Sequence, residues 1–137
     1  MIVVDTNVLS ELIRLQPEPR VVSWVRKNAA LLALPTVVIG ELRYGAARLP
    51  QGRRKEVLSN AIDAIVDRFA GSLIAYDLLA ANACGDILAV AEAASRPMKL
   101  ADAQIAACAR VARADLATRN VADFATTGLP LINPWTA

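Results

Sequence analysis

A chain of 137 residues is long enough for one domain with a sizeable core, burying roughly two-thirds of the surface its unfolded form exposes. Its 55% hydrophobic and 20% charged residues exclude disorder, and its 4% aromatics argue against nucleic-acid binding on stacked aromatic platforms. The net charge is only +2, and there is no histidine; this excludes Ser-His-Asp and Cys-His catalysis and, with only two cysteines, the usual zinc sites, so hydrolytic chemistry must come from carboxylates, lysine or a hard metal ion held by oxygen.

The predicted elements alternate along the chain. Ile2 to Val4 is a β-branched run that reads as a buried strand. Asp5-Thr6-Asn7 follows at once, and Val8, Leu9, Leu12 and Ile13 make a short helical face. Pro17 and Pro19 break the chain, and Pro19 suits the first turn of a helix carrying Val21, Trp24 and Val25. Leu31 to Leu34 reads as a second strand ended by Pro35, and Thr36 is expected to cap a helix through about Leu49. From Arg53 to Phe69 the spacing of Leu58, Ile62, Ile65, Val66 and Phe69 predicts an amphipathic helix. Leu73 to Ala75 is a short strand, and Asp77 caps a helix reaching about Ser95. Beyond Pro97 a helix opens at Asp102 and runs to Arg113, with Ile105, Ala106 and Ala109 inward. Asp115 to Thr118 is a fourth strand, Asn120 to Phe124 a turn or short helix, and Leu131-Ile132 a fifth strand.

Short, wholly apolar strands separated by helices predict a single α/β domain over residues 1–137. Its architecture is a three-layer α/β/α sandwich with a short, mostly parallel central sheet. Cys84 and Cys108 fall in Ala-rich helical stretches and read as small buried thiols. The N-terminus lacks a charged leader, and no run approaches the roughly 18 apolar residues of a membrane span. A soluble, cytoplasmic protein is expected.

In open sheets the site lies beyond the carboxyl ends of the strands, near a switch in strand order. That rule selects Asp5, the helix after strand two, and Thr118 to Asn120. Asp5 also suits a helix N-cap, as does Asp102. Glu41 lies mid-helix among apolar neighbours, where a carboxylate is costly unless paired or metal-bound; a solvent-facing Glu beside Arg43 and Arg48 is the other reading. Gly45, one turn on, would admit a close approach. Three acids at one sheet edge repel one another unless a cation lies between them. Mg²⁺ or Mn²⁺ suits such ligands and the in-line displacement at phosphorus that they support. With these acids engaged, the remaining surface turns more basic and tolerates a polyanion. Arg53-Arg54-Lys55 is the densest basic run, either a solvated face or a phosphate-tracking one.

Four segments together resemble PIN-domain ribonucleases: Val4-Asp5-Thr6-Asn7-Val8, Glu41-Leu42-Arg43-Tyr44-Gly45, Ala101-Asp102-Ala103-Gln104-Ile105-Ala106-Ala107 and Ala117-Thr118-Arg119-Asn120-Val121-Ala122-Asp123-Phe124. The closing Asn133-Pro134-Trp135 is similar to the VapC toxins, especially their FitB-like branch. The resemblance implies a Mg²⁺- or Mn²⁺-dependent endoribonuclease toxin. It implies a cognate small DNA-binding antitoxin, a homodimer and an RNA substrate cut to 5′-phosphate and 3′-hydroxyl ends. Asp5, Glu41 and Asp102 match the family's main acids and would be catalytic and metal-binding. The fourth position falls on Asn120, which carries no charge; Asp123 could supply a carboxylate at the rim. Asn7 and Thr118 would orient the acids by hydrogen bonds. Two other classes compete: a non-catalytic PIN-like module that binds RNA or protein, and a phosphotransfer domain using Asp5, which would want an acid where Asn7 stands.

Overall fold

The computed structural model describes all residues, Met1–Ala137. Five strands form one wholly parallel sheet: β1 (Ile2–Val4), β2 (Leu32–Pro35), β3 (Leu73–Ile74), β4 (Asp115–Ala117) and β5 (Leu131–Ile132), in the order β3-β2-β1-β4-β5. Six helices flank it: α1 (Thr6–Leu12), α2 (Pro19–Asn28), α3 (Thr36–Ala47), α4 (Arg53–Arg68), α5 (Leu78–Ala93) and α6 (Leu100–Val111). Given this strand order, the right-handedness general to crossovers between parallel strands assigns α1 to α4 to one face and α5 and α6 to the other, which is the expected α/β/α sandwich. Strand order reverses beside β1: the chain leaves it toward β2 and β3, then returns to β4 on its other side. The crevice between the carboxyl ends of β1 and β4 is therefore the switch point.

The core explains the apolar runs. Val3, Val4, Leu34 and Leu116 are fully buried from the sheet, and Ile62 and Phe69 seal the inner stripe of α4. On α6, Ala103, Ala106, Ala107 and Ala109 are all buried; their small side chains let the helix lie close on β1 and β4. Both cysteines are free and buried, and burial pushes the Cys108 thiol up to about 11, so it is a packing group rather than a nucleophile. No helix is long and apolar enough to cross a membrane.

Element boundaries differ from the sequence reading where caps were inferred from side chains. Residues Ala29–Leu31 form a 3-10 turn, so β2 begins at Leu32 and includes Pro35. The β1 ladder reaches only Ala33, so the missing N–H of Pro35 breaks no bond on that side. Pro35 is then itself the N-cap of α3, and Thr36 is the first helical residue; its hydroxyl accepts the Tyr76 N–H at 3.3 Å. Likewise Lys99 caps α6, which starts at Leu100, and Asp102 lies inside the first turn, where its charge suits the helix dipole. A Cβ at Gly45 would meet nothing within 4 Å, so no group makes the expected close approach there.

Glu11 was not singled out in the sequence, yet it is only 4% exposed. It pairs with Arg14 at 3.2 Å and accepts the Glu18 N–H at 3.2 Å, tying the α1–α2 connection to α1. Arg14 is 64% exposed, so the ion pair itself contributes little. Glu11→Ala should still lower stability by about 1 kcal/mol, because the half-buried Glu18 N–H loses its acceptor. Urea denaturation is the check, and an unchanged midpoint would show that the connection holds without this carboxylate.

Candidate active site

Asp5 stands where β1 passes directly into α1. Its backbone N–H continues the sheet to Ala117 O at 2.9 Å, and its carboxylate caps α1 by accepting the Thr6 N–H at 2.7 Å. The other oxygen, Oδ2, accepts from the Thr118 hydroxyl at 2.8 Å and the Asn7 amide at 3.1 Å. Thr118 is fully buried after β4 and also accepts the Asn120 N–H at 3.1 Å. The Asn7 side-chain oxygen Oδ1 accepts the Arg119 backbone N–H at 3.3 Å, so the residues following β1 and β4 are laced together. Asp5 thus caps α1 with one oxygen and is tied to Thr118 and Asn7 by the other.

Glu41 reaches the same place from α3. It is half-buried, and Oε1 accepts a short hydrogen bond from the Thr6 hydroxyl. Thr6 therefore connects two of the candidate acids: its N–H to Asp5 and its hydroxyl to Glu41. Asp102 enters from the first turn of α6 and is also half-buried. These three acids, with Asn7, Asn120 and Asp123, line one cleft of about 410 Å³. Arg14, Lys99 and Arg119 stand on its walls.

The electrostatics show crowding of like charge. Burial is the main reason that the Asp5 carboxyl rises from 3.8 to about 6; the Thr118 and Thr6 hydrogen bonds oppose it, while Asp102 and Glu41 add to it. Asp102 is also raised, first by burial, then by the charges of Glu41 and Asp123, with Lys99 pulling the other way. None of Asp5, Glu41 and Asp102 is in an ion pair: the two salt bridges are Arg14–Glu11 and Arg43–Asp63. The acids nevertheless stand apart. No three of them converge closely enough to hold a metal ion among themselves. The cleft can orient carboxylates and concentrate negative charge, and it offers only oxygen donors to a cation.

Sequence reasoning missed Thr6, Glu11 and Trp135 as parts of this region. Thr6 adjoins Asp5, but its bond to Glu41 joins positions 35 apart, and nothing local signals it. The side chains of Arg53 and Arg54 are exposed and line an adjoining groove that shares Thr6, Ser10, Arg14 and Glu41 with the cleft, whereas Lys55 is spent on the Ala47 carbonyl at 3.2 Å.

The PIN domain family model matches residues 2–128. Among known proteins, the chain is 35% identical to VapC ribonuclease Y4jK of Sinorhizobium fredii, over 98% of each chain. It is 34% identical to Toxin FitB of Neisseria gonorrhoeae, over 98% of this chain and 99% of that one. Among solved structures, it is similar to a chain of FitAB bound to an IR36 DNA fragment, with a TM-score of 0.91, 34% identity, and coverage of 98% of this chain and 96% of the other.

Proposed function

This chain belongs to the PIN-domain family, and on that footing we propose that it is an endoribonuclease toxin. It hydrolyses RNA phosphodiester bonds with Mg²⁺ or Mn²⁺ and is held silent by a small DNA-binding antitoxin. The observation that carries the reading is the convergence of Asp5, Glu41 and Asp102 on one cleft, with none of them in an ion pair. The ribonuclease and toxin names of its relatives support the substrate and the role. The FitAB assembly on DNA supports a DNA-binding partner.

The donor set fits a hard divalent cation. It is all oxygen, and the Asp5 and Asp102 carboxyl groups are raised partly by the negative charge of neighbouring acids, a cost that a cation removes. Mg²⁺ typically takes one or two carboxylates and keeps several waters, so it does not require three converged acids. Asp5, Glu41 and Asp102 would hold it, one or two directly and the rest through its waters, with Asp123 as a further carboxylate at the rim. When bound, the ion makes a water more acidic and offsets charge growing on the phosphoryl oxygens. Thr118, Asn7 and Thr6 fix the carboxylates of Asp5 and Glu41 so that they cannot rotate away. Asn120 can orient a water through its amide without adding charge.

Purified protein should cut single-stranded RNA with Mg²⁺ or Mn²⁺ and lose that activity in EDTA. Asp102→Asn should reduce the rate at least about 100-fold, since even outer residues of metal sites cost 10- to 100-fold, whereas Asn120→Ala should cost less. Undiminished cutting in EDTA would sink the mechanism. The open spacing of the acids also suits a module that binds RNA or protein without cutting it; the absence of cleavage at any metal concentration would favour that reading.

The single domain 1–137 carries this site, and a homodimer carries the domain. The sequence points to Trp24 as an interface group, but Trp24 is half-buried against its own core. The better face is α5, where Leu79 and Val90 share one stripe, 62% and 53% exposed. Light scattering at micromolar concentration should give a dimer, and Leu79→Lys should weaken it; a wild-type monomer would refute the assembly.

A further inference from the structure

The closing Asn133-Pro134-Trp135 segment has no part in the acid chemistry, yet Trp135 lines the same cleft as Asp5 and Asn120. Trp135 is half-buried against the core, and its backbone N–H donates to the Asn133 side-chain oxygen at 3.0 Å. Over its ring stands the Arg119 guanidinium, 5.2 Å from the centroid. Arg119 is exposed and takes part in neither salt bridge. Its backbone is pinned by the Asn7 side-chain oxygen, so the side chain is launched from a fixed point beside Thr118 and Asn120.

We propose that Arg119, backed by Trp135, is a base-binding subsite that stacks one unpaired base of single-stranded RNA beside the phosphate lying over the acids. A guanidinium plane is a stacking surface for bases, and only an unpaired base has a free face to offer. The position also answers an electrostatic need: a cleft lined with acids repels a polyanion, and Arg119 places an uncommitted cation at its mouth. Low aromatic content weighs against a surface of many rings, but one ring with one arginine over it is enough for one base. The subsite rests on the ribonuclease reading for its ligand.

The test uses a single-stranded RNA that the full-length protein cuts, chosen from a randomised pool. A series is made from it, each member lacking one base but keeping the ribose and phosphate. In the wild type, one position flanking the cut should lower kcat/KM roughly 5- to 150-fold, the range expected for losing one stacked base, mainly through KM. Arg119→Lys keeps the charge but not the plane. It should cut the intact RNA less efficiently by a similar factor and be indifferent to the missing base. Trp135→Leu should behave likewise; should it fail to fold, the exposed Arg119→Lys still decides. No sensitive position in the wild type, or equal sensitivity in Arg119→Lys, overturns the subsite. If no RNA in the pool is cut with Mg²⁺, the ribonuclease reading falls, and anisotropy on a base-deletion series made from an RNA selected from the pool by binding still tests the stack by affinity.

Discussion

Asp5→Asn should cut no RNA and yet, without metal, should be more stable than the wild type at neutral pH. The Asp5 carboxyl lies at about 6 in the folded protein against 3.8 for the free group, with burial as the main cause. Between those values the native state holds a proton that the unfolded chain has released, so stability falls as pH rises through this window and stays low above it. The full penalty is about 3 kcal/mol, from two pH units at about 1.4 kcal/mol each. The amide removes that penalty and keeps an acceptor for the Thr6 N–H, but it turns a donor toward Thr118 and Asn7. Subtracting about 1–2 kcal/mol for those mismatched bonds leaves a net gain of about 1–2 kcal/mol above pH 6. Below 3.8 the gain should be gone. Urea denaturation in EDTA across this range is the measurement. A variant less stable than the wild type at neutral pH would mean that the carboxylate is not penalised by its setting.

Saturating Mg²⁺ should reverse that pH trend in the wild type. A cation that binds the folded state alone stabilises it by about 2.7 kcal/mol at 100 times its Kd. It competes with protons for the same oxygens, so the gain grows as pH rises through about 6 and Asp5 ionises. Asp102, raised for related reasons, adds in the same direction. Metal-free protein should therefore lose stability on going from acid to neutral pH, while metal-loaded protein should hold or gain it. Asp102→Asn should blunt the metal-dependent difference. Thermal midpoints with Mg²⁺ and with EDTA that coincide at every pH would remove the cation from these residues.

Much of the fold was legible because its strands are unmistakable. Ile2 to Val4 is apolar on both faces, as only a covered parallel strand needs to be, and the stripe of α4 has one period. The switch-point rule then placed Asp5 and Thr118 side by side before any contact was known. Helix starts were less legible. Thr36 and Asp102 are good capping residues, and the reading trusted that preference, but Pro35 and Lys99 hold the extended cap conformation without a side-chain bond. Glu11 looked like an ordinary polar residue on α1, because its partner, the Glu18 N–H, lies beyond a proline break. The separation of the acids was also out of reach. Sequence order says which strand ends meet, not how far apart three side chains from the β1–α1 joint, α3 and α6 come to rest.

The joints behind the site have no slack. Asp5 is the only residue between β1 and α1, and nothing separates β2 from α3, which carries Glu41. An insertion at either joint would rotate a helix and carry its acid out of the cleft. The α1–α2 connection and the stretch from Arg119 to Pro130 are different: they border the same cleft but hold none of the three acids. A lineage can lengthen or rebuild these two segments without moving Asp5, Glu41 or Asp102, provided that Asn120 and Asp123 keep their places. Divergence in the choice of RNA should therefore be written in those segments, while the joints stay fixed in length.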